Sequence, residues 1–237
     1  MSTEPDLLSE TLSVTTAPEV VLEATIGYHD DTTLDRMVVL FPPHPCLGGD
    51  SANNVITALF REAVSRGALA MSFDYRGVRE GHLGGRSLLA VWDDFEAAGR
   101  FDPVVADALA VIGHVRDSVC PSAALWYAGY SFGSLVALQA AHRLRPEGLA
   151  GISPPLLAYD LAPWLALTPP PRWWLAPTDV FCPTGALESL GVEPRHIHVF
   201  PGDDHFFRGT EPALAQAVLG DLLGAAAEPI ATEGIST

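Results

Sequence analysis

From residue 37 onward the chain alternates short, uniformly apolar runs with amphipathic ones, and this alternation limits the possible folds more than any other feature. "MVVLF" (37–41) and "ALAMSF" (68–73) are too short and too evenly apolar for surface helices, so they read as buried strands. Between them, residues 53–66 place Val55, Ile56, Leu59, Phe60 and Val64 on one helical face, and Gly67 stops that helix. Asp102 followed by Pro103 reads as an N-cap and a first-turn proline, opening a helix through about Arg116. "AALWYAG" (123–129) predicts a strand and residues 131–145 a helix. "GLAGIS" (148–153), "RWWLAP" (172–177) and "HIHVF" (196–200) predict further strands, residues 211–225 a last helix, and "EVVLEATIGYH" (19–29) an early strand. This order implies an α/β fold, a mostly parallel sheet with helices on both faces. Ligands of such sheets bind beyond the carboxyl ends of the strands, so the loops that follow strands should hold the chemistry.

The 237 residues suit a single domain, expected over 19–227, with residues 1–18 and 228–237 as loose, flexible termini. A hydrophobic content of 48% is enough for a sizeable core. With 13 basic and 29 acidic residues, the formal charge of -16 argues against a nucleic-acid or anionic-membrane partner. All 13 basic residues are arginine, and the absence of lysine excludes Schiff-base, Ser-Lys and P-loop chemistry. Cys46, Cys120 and Cys182 are scattered, without C-x-x-C or zinc spacing, and suggest a reducing, cytoplasmic setting. "MSTEPDLLSETLSV" has no basic segment followed by an apolar one, so no signal peptide is expected. No run approaches the roughly 18 apolar residues of a membrane span.

"AGYSFGS" (128–134) lies where a predicted strand meets a predicted helix. Gly129, Ser131 and Gly133 spell G-x-S-x-G, the pattern that exposes a serine oxygen on a sharp bend with small residues on either side. A serine hydroxyl is a poor nucleophile alone and needs a base, itself oriented by an acid. The chain order that goes with this turn is Ser, then Asp or Glu, then His. His205, in "FPGDDHFF" just past the last predicted strand, is the natural base. His196 and His198 lie on that strand, His114 and His142 within helices, and His29 and His82 in loops without the right order or placement. The acid should follow "RWWLAP". Asp179 lies two residues past it, Asp160 is held in reserve, and Asp203 and Asp204 read as shaping the turn before His205.

An oxyanion hole needs two backbone N–H groups. One is expected from Phe132, directly after the serine, and the other from the loop "PPHPCLGGD" after "MVVLF". Pro42, Pro43 and Pro45 carry no N–H, which leaves His44 by elimination, with Cys46 as the alternative. Arg76 and Arg79 follow a strand and are candidates to clamp a substrate carboxylate, against a structural ion pair with Asp74 or Glu80. Trp164, Trp173 and Trp174 either line an apolar pocket or pack in the core, and Trp126 reads as core.

Taken together, "PPHPCLGGDSANN" (42–54), "FDYRGVREG" (73–81), "GYSFGS" (129–134), "ISPPLLAYD" (152–160), "APTDVFCP" (176–183) and "FPGDDHFFRG" (200–209) resemble the α/β-hydrolase superfamily. The likeness is greatest to its small dienelactone-hydrolase-like serine hydrolases with little or no cap domain. Three departures surround the expected pocket. Pro42-Pro43-His44-Pro45 stands where the family often has His-Pro-His-Pro. Arg79 and Glu80 follow Arg76-Gly77-Val78 in place of Gly and a small residue. Residues 82–100 exceed what the family needs.

Residues 82–100, with Leu88, Leu89, Val91, Trp92 and Phe95, and residues 154–171, with Leu156, Leu157, Leu161, Trp164 and Leu165, read as two segments of a small lid. On that reading Trp92 and Trp164 touch substrate. The other reading has both segments only shielding the sheet edge. The resemblance implies a serine hydrolase for an ester, thioester or activated amide, in which Ser131 attacks, His205 moves the proton and Asp179 orients His205. It implies no metal and no organic cofactor. The partner is a small-molecule or acyl substrate, free or carrier-bound. Acyl transfer or cyclisation by the same three residues, and a non-catalytic binding protein on the same fold, are the alternatives.

Overall fold

The computed structural model describes residues 7–18, 20–79, 82–201 and 204–224, with the backbone alone at 82. The chain begins with a hairpin of β1 (Leu7–Ala17) and β2 (Val20–His29), paired antiparallel with a register shift between Thr15 and Ala17. β3 (Arg36–Phe41), α1 (Asn54–Ser65) and β4 (Leu69–Phe73) follow. A two-residue hairpin, β5 (His82–Leu83) and β6 (Arg86–Ser87), leads into α2 (Leu88–Ala98) and then α3 (Asp102–Val119). β7 (Ala124–Tyr130), α4 (Phe132–Ala141), β8 (Gly148–Ile152), β9 (Arg172–Leu175), the one-turn α5 (Ala186–Ser189), β10 (Ile197–Val199) and α6 (Glu211–Leu223) complete it.

Among the described residues, the main sheet has eight strands in the order β1-β2-β4-β3-β7-β8-β9-β10. β4, β3, β7, β8, β9 and β10 are mutually parallel, and β2 joins them antiparallel through β4. Side chains alternate across the sheet as strand geometry requires. Met37, Val39 and Phe41 enter one core layer with α3 and α4, whereas Val38 and Leu40 enter the other with α1 and α6. Helices thus cover both faces, and the loops at the carboxyl ends of the parallel strands share one edge. No described helix is long and apolar enough to cross a membrane.

Two expectations are corrected. Residues 7–17 are an edge strand rather than part of a loose terminus. Their Ser and Thr content reads as loop, but β-branched residues suit an edge whose outer face is wet. Val14 is buried, and the Thr16 hydroxyl donates to Asp107 of α3 at 2.5 Å. Asp102 is not a cap. Phe101 takes that position without a side-chain bond, and Asp102 sits in the first turn, where an acid is favourable at a helix N-terminus. There it receives Arg100 at 3.1 Å and Arg143 at 2.9 Å. The tail at 228–237 lies outside the described residues.

Candidate active site

β7 ends at Tyr130 and α4 begins at Phe132, which leaves Ser131 alone in the turn. Its backbone angles, φ 54° and ψ -123°, lie where an L-residue costs about 1–3 kcal/mol. Close packing enforces this turn. A Cβ on Gly133 would overlap the Phe41 carbonyl, and one on Gly129 would overlap the Gly133 carbonyl. Neighbouring backbone holds the bend, with the Ser131 amide donating to Ile152 O at 2.8 Å and the Ser134 hydroxyl to Gly129 O at 2.9 Å. A serine at a helix N-cap ordinarily accepts a first-turn amide. Ser131 makes no such bond, and its Oγ lies 3.1 Å from His205 Nε2.

The other ring nitrogen of His205, Nδ1, lies 2.9 Å and 3.1 Å from the two carboxylate oxygens of Asp179. An ionised carboxylate only accepts, so Nδ1 carries the proton and Nε2 presents its lone pair to Ser131. Asp179 is placed by the turn after β9, where its Oδ1 accepts the Phe181 amide at 2.8 Å and the Cys182 amide at 3.2 Å. Its side chain has no exposed surface. Burial pushes this carboxyl up, yet the hydrogen bonds and charge of His205, the nearby Ser153 hydroxyl and the Phe181 amide hold it below the usual aspartate range. His205 is held from its backbone, since Tyr130, the residue before the serine, donates its buried hydroxyl to His205 O at 2.9 Å. That anchor and Ser153, a buried residue at φ 45° just past β8, escape a reading by motif. Tyr130 stands in a variable position of G-x-S-x-G, and nothing local marks its long-range partner.

Phe132 supplies the first N–H of α4, one of the helix-start amides that have no intrahelical acceptor. The His44 loop comes close to it. Gly133 presses on the Phe41 and Pro42 carbonyls, and the His44 and Phe132 rings meet with centroids 5.0 Å apart. His44 is buried. Its Nδ1 accepts the Cys46 amide at 3.2 Å, and its Nε2 lies 3.0 Å from Glu96 of α2. Burial lowers the His44 pKa and outweighs the Glu96 charge and hydrogen bond, which act to raise it. Tyr159 donates to the same Glu96 oxygen at 2.6 Å, so one carboxylate joins α2, the His44 loop and the segment after β8. Burial, followed by the Glu96 contact, pushes the Tyr159 hydroxyl well up.

Several other candidate residues stand elsewhere. Asp160 accepts the Ala162 amide at 2.9 Å and shapes its own turn, away from His205. Asp204 likewise accepts the Phe206 amide at 2.8 Å, and Asp203 lies outside the described residues. Arg76 is bound to the buried Asp107 at 2.7 Å, and Arg79 to Asp74 at 2.5 Å and Glu23 at 3.0 Å, so both are held in ion pairs within the fold. The Arg79–Asp74 pair is one that the sequence suggested, whereas Asp107 and Glu23 are distant in sequence; Glu80 lies outside the described residues. Trp92 has no exposed surface. It packs edge-on against His44, Tyr75, Phe95 and Phe132, and donates its N–H to Arg76 O at 3.2 Å.

Val91 and Trp92 of α2 are thus core, whereas Leu88 and Phe95 are half-buried and Leu89 is 59% exposed. Trp164 is half-buried against His142, with centroids 5.6 Å apart, and lines a cavity of about 550 Å³ with Glu96, Phe101, Leu135, Gln139 and Tyr159. Trp173 and Trp174 are core residues. Among the described residues, no three His, Cys, Asp or Glu side chains gather as a metal-binding group.

No protein-family description and no curated protein matches the chain. Solved structures do. An α/β serine hydrolase homologue from Coxiella burnetii aligns over 90% of this chain and 97% of its own, at 23% identity and a TM-score of 0.73. An α/β serine hydrolase without a lid from Xanthomonas campestris aligns over 93% and 97%, at 25% identity and a TM-score of 0.71. The esterase Pf2001 of Pyrococcus furiosus aligns over 92% and 90%, at 15% identity and a TM-score of 0.65. The parallel sheet, the helices on both its faces and these likenesses agree: the chain has the α/β-hydrolase fold.

Proposed function

We propose that the protein is a serine hydrolase that cleaves an ester, thioester or activated amide through an acyl-enzyme on Ser131. The observation that carries this reading is the continuous contact from Ser131 Oγ to His205 Nε2 and from His205 Nδ1 to Asp179, at 3.1 Å and 2.9 Å, on a strained turn. In the first half-reaction Ser131 Oγ attacks the carbonyl carbon while Nε2 takes its proton. Asp179 stabilises the imidazolium without taking a proton itself. The carbonyl oxygen becomes an oxyanion, held by the Phe132 amide, with the positive end of α4 behind it, and by the His44 amide. Collapse of this intermediate breaks the bond to the leaving group, which receives the proton from Nε2. Water then repeats the sequence on the acyl-enzyme, with His205 again as base, and releases the acid and the free serine.

Replacing Ser131 by Ala in purified protein tests this. Steady-state cleavage of p-nitrophenyl acetate should fall by about 10⁴ to 10⁶ in kcat, the loss typical of a missing nucleophile in such a triad. Undiminished cleavage by Ser131→Ala would assign the activity to another residue. No cleavage or labelling by the intact protein would favour a binding role for the fold.

A further inference from the structure

Among the described residues, the His205 ring has three aromatic neighbours. Tyr130 is buried beneath it, with centroids 5.5 Å apart. Phe181, from the loop after β9, meets it at 4.9 Å, and Phe206, the next residue in its own loop, at 5.5 Å. These last two are not core residues, being 41% and 46% exposed. The Leu157 amide donates to Phe181 O at 3.2 Å, so the backbone of the segment after β8 runs beside the loop after β9, and Leu157 and Val180 are 71% and 67% exposed. Scattered apolar side chains on a surface are ordinary. Here Phe181 and Phe206 come from two separate loops at the carboxyl edge of the sheet and border one histidine, and Leu157 stands on a third segment hydrogen-bonded to the first.

The chemistry of the site says which part of a substrate meets them. His205 Nε2 must reach the leaving-group atom to protonate it, whereas the oxyanion lies toward Phe132 and His44. Side chains beside His205 therefore face the leaving alcohol rather than the acid. Charge points the same way. Arg76 and Arg79 are neutralised by Asp107, Asp74 and Glu23; the guanidinium of Arg208 lies over the Phe206 ring at 5.0 Å and keeps its charge there, which makes it the cation to test. The chain as a whole carries a formal charge of -16, which disfavours an anionic substrate.

We infer that the patch of Leu157, Phe181 and Phe206 binds the alcohol half of the substrate, and that this half is bulky, apolar and uncharged. The inference rests on the hydrolase reading and adds the substrate class to it. In each turnover the ester C–O bond breaks, and the alcohol oxygen leaves with the proton from His205 against this apolar wall.

Two ester series separate the halves: acetates of ethanol, butanol, hexanol and octanol, and ethyl esters of acetic, butanoic, hexanoic and octanoic acids. The expected result is a kcat/KM that rises about two- to fourfold per methylene in the alcohol series, the upper figure being full burial of each group. Phe181→Ala, Phe206→Ala and Leu157→Ser should each flatten that slope more than the slope of the acyl series, with thermal midpoints measured alongside to exclude a folding defect. Hexyl acetate should outrun the anionic 6-acetoxyhexanoate at least tenfold. A flat alcohol series with active enzyme, or variants that keep the slope, overturns the inference and leaves the hydrolase reading standing. A preference for 6-acetoxyhexanoate that disappears in Arg208→Ala overturns it in favour of an anion site. Absence of cleavage throughout, with Ser131 unlabelled by a fluorophosphonate, overturns both readings together.

Discussion

Phe132 separates two neighbourhoods built on opposite terms. Its backbone adjoins a buried polar chain, Ser131–His205–Asp179, held by hydrogen bonds and a strained turn. Its ring adjoins a buried apolar cluster, in which His44 and Phe101 meet it at 5.0 Å, Tyr159 at 5.5 Å and Trp92 at 5.7 Å, all edge-on. The polar side depends on orientation, because a buried donor or acceptor turned the wrong way is costly and chemically useless. The apolar side depends on volume, because edge-on rings gain from contact area and tolerate small rotations. The same helix start thus carries a part specialised for chemistry and a part specialised for stability, and the two should fail differently.

The largest expected effect lies on the polar side. Asp179→Asn keeps the volume but offers an amide where a carboxylate accepted the Nδ1 proton, so the wrong tautomer faces Ser131. Turnover should fall by about 10⁴, the loss known for that exchange in a serine-protease triad. Asp160→Asn, which alters only a turn, should stay within about threefold of the parent. Equal losses in the two variants would break the contrast between an orienting acid and a turn former. On the apolar side, Trp92→Ala should cost about 3–5 kcal/mol of stability through the cavity it leaves. At roughly 2–4 °C per kcal/mol for a chain of this size, the thermal midpoint should drop by about 6 to 20 °C. The fraction that remains folded should keep turnover within about tenfold. A stable Trp92→Ala protein with abolished turnover would put that ring in the chemistry and erase the distinction.

The polar side is legible in the sequence because its turn and its loops carry recognisable residue patterns, even where, as at Gly133, the constraint comes from the distant Phe41 carbonyl. Gly129 and Gly133 are required by carbonyls within a few ångströms, and each of Ser131, Asp179 and His205 follows a strand that its own apolar run announces. Strand order then brings the three together, since β7, β8 and β9 are neighbours and β10 pairs with β9. The apolar side was not legible in the same way. An amphipathic stripe on residues 88–95 shows that one face is covered but not by what, and only the fold reveals that His44, Tyr75 and Phe132 cover Trp92. Arg76 shows the same limit for charge, because its partner Asp107 arrives through tertiary structure, whereas Arg79 reaches the nearby Asp74 as well as the distant Glu23. The edge strand at 7–17 is hard to read from sequence for a third reason. A wet outer face gives it the polar composition of a loop, and its pairing with β2 decides the matter.

Active-site labelling tests the central claim most directly. A fluorophosphonate probe reacts with a serine only where the hydroxyl is activated and the developing charge is stabilised, which are the two properties assigned to this turn. Peptide mapping of the labelled protein should find about one equivalent of probe, on Ser131, with labelling slowed in Asp179→Asn and unchanged in Asp160→Asn. Labelling on another serine, or ester cleavage that persists while Ser131 stays unmodified, would contradict the account.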